Sequence, residues 1–274
     1  MQFLFHSLLR AIVSIISGTK KQDRLIIFGV RRSGNHALTN WLANAIENEP
    51  TTLSPIGKSP PLSHCHVNPS GSIVHMNELN ELSLRATLFL FIKCRRFTKR
   101  ANRLILSFED VRPSEYLNFR RLSGNEIIIT RSSLEIISSR FHNINQKAQQ
   151  GIGWSRQSCD SYFMQTLEEY LAYRTSSELN WHYNDWLDKS EWRIEFLKKI
   201  GLYSDLMPQH SAIGGGSSFH GTSGKIESNM EQRMQKVNPQ GPWLTFLMKT
   251  IHEYSELFTL EETEVAQKFS RDSC

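Results

Sequence analysis

Gly29 and Gly34 bracket the four residues Val30-Arg31-Arg32-Ser33, and Asn35 and His36 follow directly. A Gly-x-x-x-x-Gly loop between a strand and a helix offers an anion a row of backbone N–H groups and a helix N-terminus. Arg31 and Arg32 add two positive charges to the loop. In loops that hold nucleoside triphosphates, Lys and then Ser or Thr follow the second glycine, reaching the outer phosphates and magnesium. Asn35 and His36 stand there instead. A magnesium-dependent ATPase or kinase is therefore disfavoured, while the anion cradle survives. Transfer of a sulfuryl group suits such a cradle. The moving group is close to neutral SO3 rather than to negatively charged PO3, so fixed donors and one or two cations suffice. A purely structural turn has the same glycine spacing, and spacing alone does not separate the two readings.

The loop needs a strand before it and a helix after it. Residues 25–30 (LIIFGV) form a short apolar run of the kind a buried parallel strand shows, and residues 37–46 have helical periodicity. Residues 50–72, rich in Pro, Ser and Thr, read as a long loop. A second strand is expected over 104–107, ending in Phe108-Glu109-Asp110, and a third over 126–130, followed by Arg131 and a helix over 133–141. The polar stretch 142–159 reads as a mobile loop, 163–179 as a helix, the region of Trp181-His182-Tyr183 as a fourth strand, and 186–200 as a helix. Residues 208–225, with Gly214-Gly215-Gly216, read as loop, and 243–266 as a helix. Strands alternating with helices predict an α/β fold with an open, mostly parallel sheet covered on both faces.

The 274 residues, 22% charged and 39% hydrophobic, fit a single domain over 21–274. Residues 1–20 read as a separate amphipathic helix, with Leu8, Leu9, Ile12, Ile15 and Ile16 at helical spacing. It either docks on the domain or lies on a membrane surface. Its apolar run over 3–16 is shorter than the ~20 residues a bilayer requires, and it lacks the leading basic residue of a signal peptide. Four scattered cysteines exclude a disulfide scaffold and favour a reducing compartment, hence the cytoplasm. The net charge of +5 suits a polyanionic small ligand and does not call for nucleic acid. Lys93, Arg95, Arg96, Lys99, Arg100 and Arg103 read either as a solvated connecting helix or as a landing strip for an anionic acceptor. His64, Cys65, His66 and His75 lack the ligand pattern of a zinc site, so no metal is expected. No Gly-x-Ser-x-Gly elbow anchors a hydrolase triad.

Residues 25–38, LIIFGVRRSGNHAL, resemble the 5′-phosphosulfate loop of sulfotransferases that use 3′-phosphoadenosine 5′-phosphosulfate (PAPS). In that family Lys or Arg precedes Ser/Thr-Gly at the opening of a helix, and Arg32, Ser33, Gly34, Asn35 and His36 occupy those positions. Residues 126–142, EIIITRSSLEIISSRFH, resemble the family's 3′-phosphate element: a strand, an arginine and, eight residues on, a serine. Arg131 and Ser139 fit it. An arginine at a strand's carboxyl end and a serine two turns along the next helix can reach one phosphate. Tyr183-Asn184-Asp185-Trp186 is similar to the segment whose tyrosine faces the adenine, and Ser217-Ser218-Phe219 to the segment whose aromatic ring stacks on it. Lys236 stands at the first position of a closing basic pair that leads to Gly241-Pro242-Trp243, while Val237 and Asn238 replace the second basic residue and a glycine.

The resemblance, spread over residues 24–245, implies a three-layer P-loop-like sulfotransferase fold with PAPS as donor and no metal. It implies that an acceptor hydroxyl attacks sulfur, and its wording is closest to carbohydrate-type members. Arg32 is then the cation on the bridging oxygen. Glu109, at a strand end, is the expected base for the acceptor proton, with His36 as the other choice. Arg31 supplements the loop. Two other functions fit the same residues: a nucleotide or nucleoside kinase with rearranged metal ligands, and a non-catalytic nucleotide-binding module that kept the fold.

Overall fold

The computed structural model describes residues 24–30, 32–47, 65–67, 73–77, 104–110, 124–149, 161–174, 179–207, 231, 234 and 242–272. The expected N-terminal helix over 1–20, the basic run over 93–103 and the loop over 208–225 lie outside them.

The chain forms β1 (Arg24–Gly29), α1 (Asn35–Glu47), β2 (Cys65–Val67), β3 (Ile73–Asn77), β4 (Leu104–Glu109) and β5 (Asn125–Thr130). There follow α2 (Ser133–Gln149), α3 (Ser161–Arg174), β6 (Leu179–His182), α4 (Tyr183–Asp188) and α5 (Ser190–Lys199). The C-terminal part holds α6 (Pro242–Glu253), a short 3-10 turn (Ser255–Leu257) and α7 (Leu260–Asp272).

The strands make one sheet in the order β2-β3-β4-β1-β5-β6. All neighbours are parallel except β2, which runs antiparallel to β3 and sets His66 opposite His75. The fold is therefore α/β with a mostly parallel sheet, as the alternation of strands and helices predicts. Leu25, Ile27, Ile127 and Ile129 share a core with Leu38, Trp41 and Leu42 of α1 and with Trp181, Trp186 and Phe196. The alternate residues Ile26, Phe28 and Ile128 are buried as well, and α3 packs against β5. Burial of both faces explains why β1 and β5 read as continuous apolar runs rather than alternating ones. Among the described residues no helix is long and apolar enough to cross a membrane.

Several expected boundaries are corrected. The stretch 50–72 holds β2, a three-residue strand too short for a hydrophobic pattern to register. The polar stretch from 142 is helical to Gln149, because Gln, Lys and Ala propagate a helix without an apolar face. The helix expected over 163–179 ends at Arg174, and Leu179 begins β6. Residues 186–200 belong to two helices, broken at Lys189, which is extended at φ −122° and ψ 101°. The C-terminal helix is likewise two helices with the 3-10 turn between them.

α5 ends with Gly201 at φ +71°, and Leu202 N donates back to Leu197 O at 2.8 Å, closing the helix in the left-handed manner glycine permits. The segment that follows is tied to α1, since Asp205 accepts from Trp41 Nε1 at 2.9 Å and from Arg193 Nε at 2.8 Å. Ile27 sits in the middle of the sheet with no exposed surface. Ile27→Ala should lower the unfolding free energy by roughly 2–5 kcal/mol in urea titrations. Glu126, in β5, has its carboxyl pushed above the usual range by burial. A raised carboxyl favours the folded state while protonated, and that advantage is lost as pH rises through the folded value. Glu126→Gln should therefore match the parent near ~pH 3 and exceed it in stability at neutral pH.

Candidate functional site

β1 delivers the chain to Gly29, and a turn closed by Ser33 N donating to Val30 O at 3.0 Å leads into α1. Neither glycine of the loop has room for a side chain. A Cβ on Gly29 would collide with Asn35 Oδ1 and lie 2.8 Å from Ser33 Oγ. A Cβ on Gly34, whose φ is +118°, would lie 2.6 Å from Tyr183 Cδ2. The spacing of the two glycines thus reflects a loop pressed against its own polar side chains at one end and against Tyr183 at the other. Arg32 lies between them at φ +77°, a conformation that disfavours any residue with a Cβ. Strain of this kind costs of order 1–3 kcal/mol and persists only where surrounding contacts enforce it.

Those contacts come from the next strand-helix unit. Arg131 follows the end of β5, and its Nη1 donates to the carbonyl of Arg32 at 2.9 Å. The side chain of Arg32 in turn donates through Nε to Ser139 Oγ, on α2, at 3.0 Å. Arg131 is itself fixed twice more. Its Nε meets the Glu135 carboxylate at 2.8 Å, and its guanidinium carbon lies 4.3 Å from the centroid of the Tyr183 ring. The ion pair is enclosed, with the two side chains 8% and 0% exposed. Ser132 caps α2 by accepting from Glu135 N at 3.1 Å, leaving the Glu135 side chain to serve Arg131.

A carboxylate completes the arrangement. Glu109 ends β4 beside Gly29 of β1, buried, and accepts from Asn35 Nδ2 at 2.9 Å. The same Nδ2 donates to Val30 O at 3.2 Å, so Asn35 joins the loop to the strand end. The next residue, Asp110, has φ +55°, donates its N–H to Gly29 O at 3.1 Å and pairs with Arg140 at 3.2 Å. Arg140 lies over the Phe163 ring, 3.9 Å from its centroid. Glu109 is thus tied to the loop through Asn35, and the residue after it to α2 through Arg140.

Of the residues singled out from the sequence, Arg32, Ser33, Gly34, Asn35, His36, Glu109, Arg131, Ser139 and Tyr183 fall at the carboxyl ends of β1, β4, β5 and β6 or on the helices that follow. His36 is half-buried in the first turn of α1. Arg31, Ser217, Ser218, Phe219, Lys236 and Gly241 lie outside the described residues. Sequence reasoning missed Glu135, whose signal was its i,i+4 spacing from Arg131, and the Asp110–Arg140 pair, for which spacing held no signal.

Two polar atoms in the loop lack an internal use. Ser33 Oγ and Asn35 Oδ1 are buried and make no hydrogen bond among the described residues. A buried hydroxyl left so costs about 1–3 kcal/mol. An anionic oxygen seated at the loop would give the Ser33 hydroxyl an acceptor. The amides at the start of α1, which no helical carbonyl can satisfy, face the same use. Among the described residues no three of His, Cys, Asp and Glu come together in the manner of a metal site.

Compared with known proteins, the chain matches no family model, no curated protein and no solved structure.

Gly34→Ala should cost roughly 1–3 kcal/mol of unfolding free energy, because φ is positive and Tyr183 fills the space the methyl needs. Urea denaturation checks this, and the Gly34→Ala, Tyr183→Ala double variant should recover the part due to the clash.

Proposed function

We propose that this protein is a PAPS-dependent sulfotransferase with a P-loop-like, three-layer fold, acting on a hydroxyl of a carbohydrate acceptor. The supporting observation is the meeting of the two expected anion elements: Arg131 donates to the Arg32 carbonyl, and Arg32 donates to Ser139. Their position also supports it. From β1 the chain moves across the sheet to β3 and β4, whereas from β5 it moves the other way to β6. The direction of winding reverses between β1 and β5, and open α/β sheets bind ligands outside the strand ends at such a reversal. Arg32 and Arg131 follow those two strands.

In this reading Ser33, Gly34, Asn35 and His36, with the start of α1, hold the 5′-phosphosulfate, while Arg131 and Ser139 hold the 3′-phosphate. The donor supplies a sulfuryl group bound through oxygen to the 5′-phosphate. The acceptor oxygen forms a bond to sulfur as the sulfur–oxygen bond to that phosphate breaks. Arg32 neutralises charge on the departing oxygen. Glu109 accepts the hydroxyl proton, and Asn35 orients its carboxylate. Burial of Glu109 keeps water from competing for that carboxylate.

One observation favours a second reading. A buried carboxylate at the end of a strand adjoining the loop strand is also where magnesium-dependent phosphoryl-transfer enzymes hold their metal. Thermal-shift titration separates the two. Adenosine 3′,5′-bisphosphate without metal should raise the melting temperature, by on the order of 3 kcal/mol in stability at a hundredfold excess over Kd. Equal or greater stabilisation by ATP with magnesium would favour the kinase. Glu109→Gln should retain bisphosphate binding and lose roughly 10²–10⁴-fold in turnover, measured with labelled donor and a panel of glycans and small alcohols. Unchanged turnover would remove Glu109 from the chemistry.

A further inference from the structure

The C-terminal helix reaches into the candidate site from the far end of the chain. Glu262, in the first turn of α7, is 3% exposed, whereas its neighbour Glu261 is exposed. One carboxylate oxygen of Glu262 serves its own helix by accepting from Thr259 N at 2.6 Å, and Thr259 Oγ1 returns the contact by accepting from Glu262 N at 3.2 Å. This is a reciprocal helix cap, which ordinarily forms at the surface and needs no burial. The other oxygen leaves the helix. It accepts from Ser132 Oγ at 2.5 Å and from Leu134 N at 3.1 Å, both at the start of α2 and about 130 positions earlier in sequence.

Burying a carboxylate is costly unless its oxygens are fully engaged. A local cap gives no reason for that cost, whereas a carboxylate shared by two helix starts does. α2 is the helix that carries Glu135 and Ser139, the partners of Arg131 and Arg32. Its first turn is held by two caps in series. Ser132 accepts from Glu135 N, and Glu262 accepts from the hydroxyl of Ser132. Glu135 then holds Arg131, and Arg131 holds the Arg32 carbonyl.

We propose that Glu262 is a positioning residue for the 3′-phosphate grip, setting Arg131 through Ser132 and Glu135 without touching the ligand. The inference rests on the reading of Arg131 and Ser139 given above. The 5′ side of the site belongs to β1 and α1, which Glu262 does not contact in its hydrogen bonds. The relay ends on the Arg32 carbonyl as well, so loss of Glu262 should weaken the hold on a 3′-phosphate, which Arg131 would meet directly, more than the hold on a 5′-phosphate, which it reaches only through that carbonyl.

Calorimetric titration of the full chain with adenosine 3′,5′-bisphosphate and with adenosine 5′-monophosphate tests this. The parent should bind the bisphosphate more tightly. In Glu262→Ala that preference should shrink by roughly fivefold to tenfold, the usual worth of a helix cap, with a smaller loss of affinity for the monophosphate. Glu262→Gln, which keeps the shape and one acceptor oxygen, should fold even where the alanine variant does not, and should lose part of the preference. Thr259→Ala removes only the hydroxyl that caps α7, so it should lower the melting temperature and leave the preference intact. Parallel losses for both nucleotides in the Glu262 variants, or an equal loss of preference in Thr259→Ala, would overturn the positioning role. A parent that binds both nucleotides alike would instead overturn the reading of Arg131 and Ser139 on which the proposal stands.

Discussion

The guanidinium of Arg131 is where separate parts of the chain meet. It donates to the backbone of the glycine loop at Arg32, pairs with Glu135 in the first turn of α2, and lies against the face of Tyr183 at the start of α4. An enclosed cation is tolerated only when partners compensate its lost hydration, and here a carboxylate, a carbonyl and an aromatic face do so together. Removing any one of them would leave an enclosed charge short of a partner. The loop conformation depends on this group, because the Arg32 carbonyl it binds belongs to a residue held at φ +77°.

Around that centre the loop is shaped by exclusion. Gly29 has no Cβ because Asn35 and Ser33 fold back over it, and Gly34 has none because Tyr183 occupies the place. Tyr183 thereby serves both the loop and the β5–α2 junction, limiting the loop on one side and supporting Arg131 on the other. Asn35 performs the matching task at the opposite edge, where its amide joins the Val30 carbonyl to the Glu109 carboxylate. Cationic and anionic groups are thus held on adjacent strand ends, the arrangement that the proposed sulfuryl transfer would use.

Much of this frame was legible from the sequence. The strands β1, β4 and β5 announced themselves as short apolar runs because both faces of the sheet are buried, and the loop announced itself by two glycines that have physical reasons to be glycine. Arg131 and Ser139 stood out through the resemblance of residues 126–142 to a strand, arginine and serine element of the sulfotransferases. What the sequence hid depends on distance. β2 is a short antiparallel strand at the sheet edge, and no pattern distinguishes three such residues from a loop. Nothing near Glu262 shows that its second oxygen serves a helix about 130 positions away, although Thr259-Leu260-Glu261-Glu262 has the form of a helix cap. The Asp110–Arg140 pair was hidden for the same reason, since only the fold brings the end of β4 to α2.

The central claim is that the β1 loop and the β5–α2 junction grip the two phosphate ends of one nucleotide. A crystal structure of the protein with adenosine 3′,5′-bisphosphate tests it most directly. The account predicts the 5′-phosphate at the start of α1 beside Ser33, and the 3′-phosphate between Arg131 and Ser139, with Arg32 turned from Ser139 toward the ligand. A nucleotide seated away from the reversal between β1 and β5, or one with both phosphates in solvent, would contradict it.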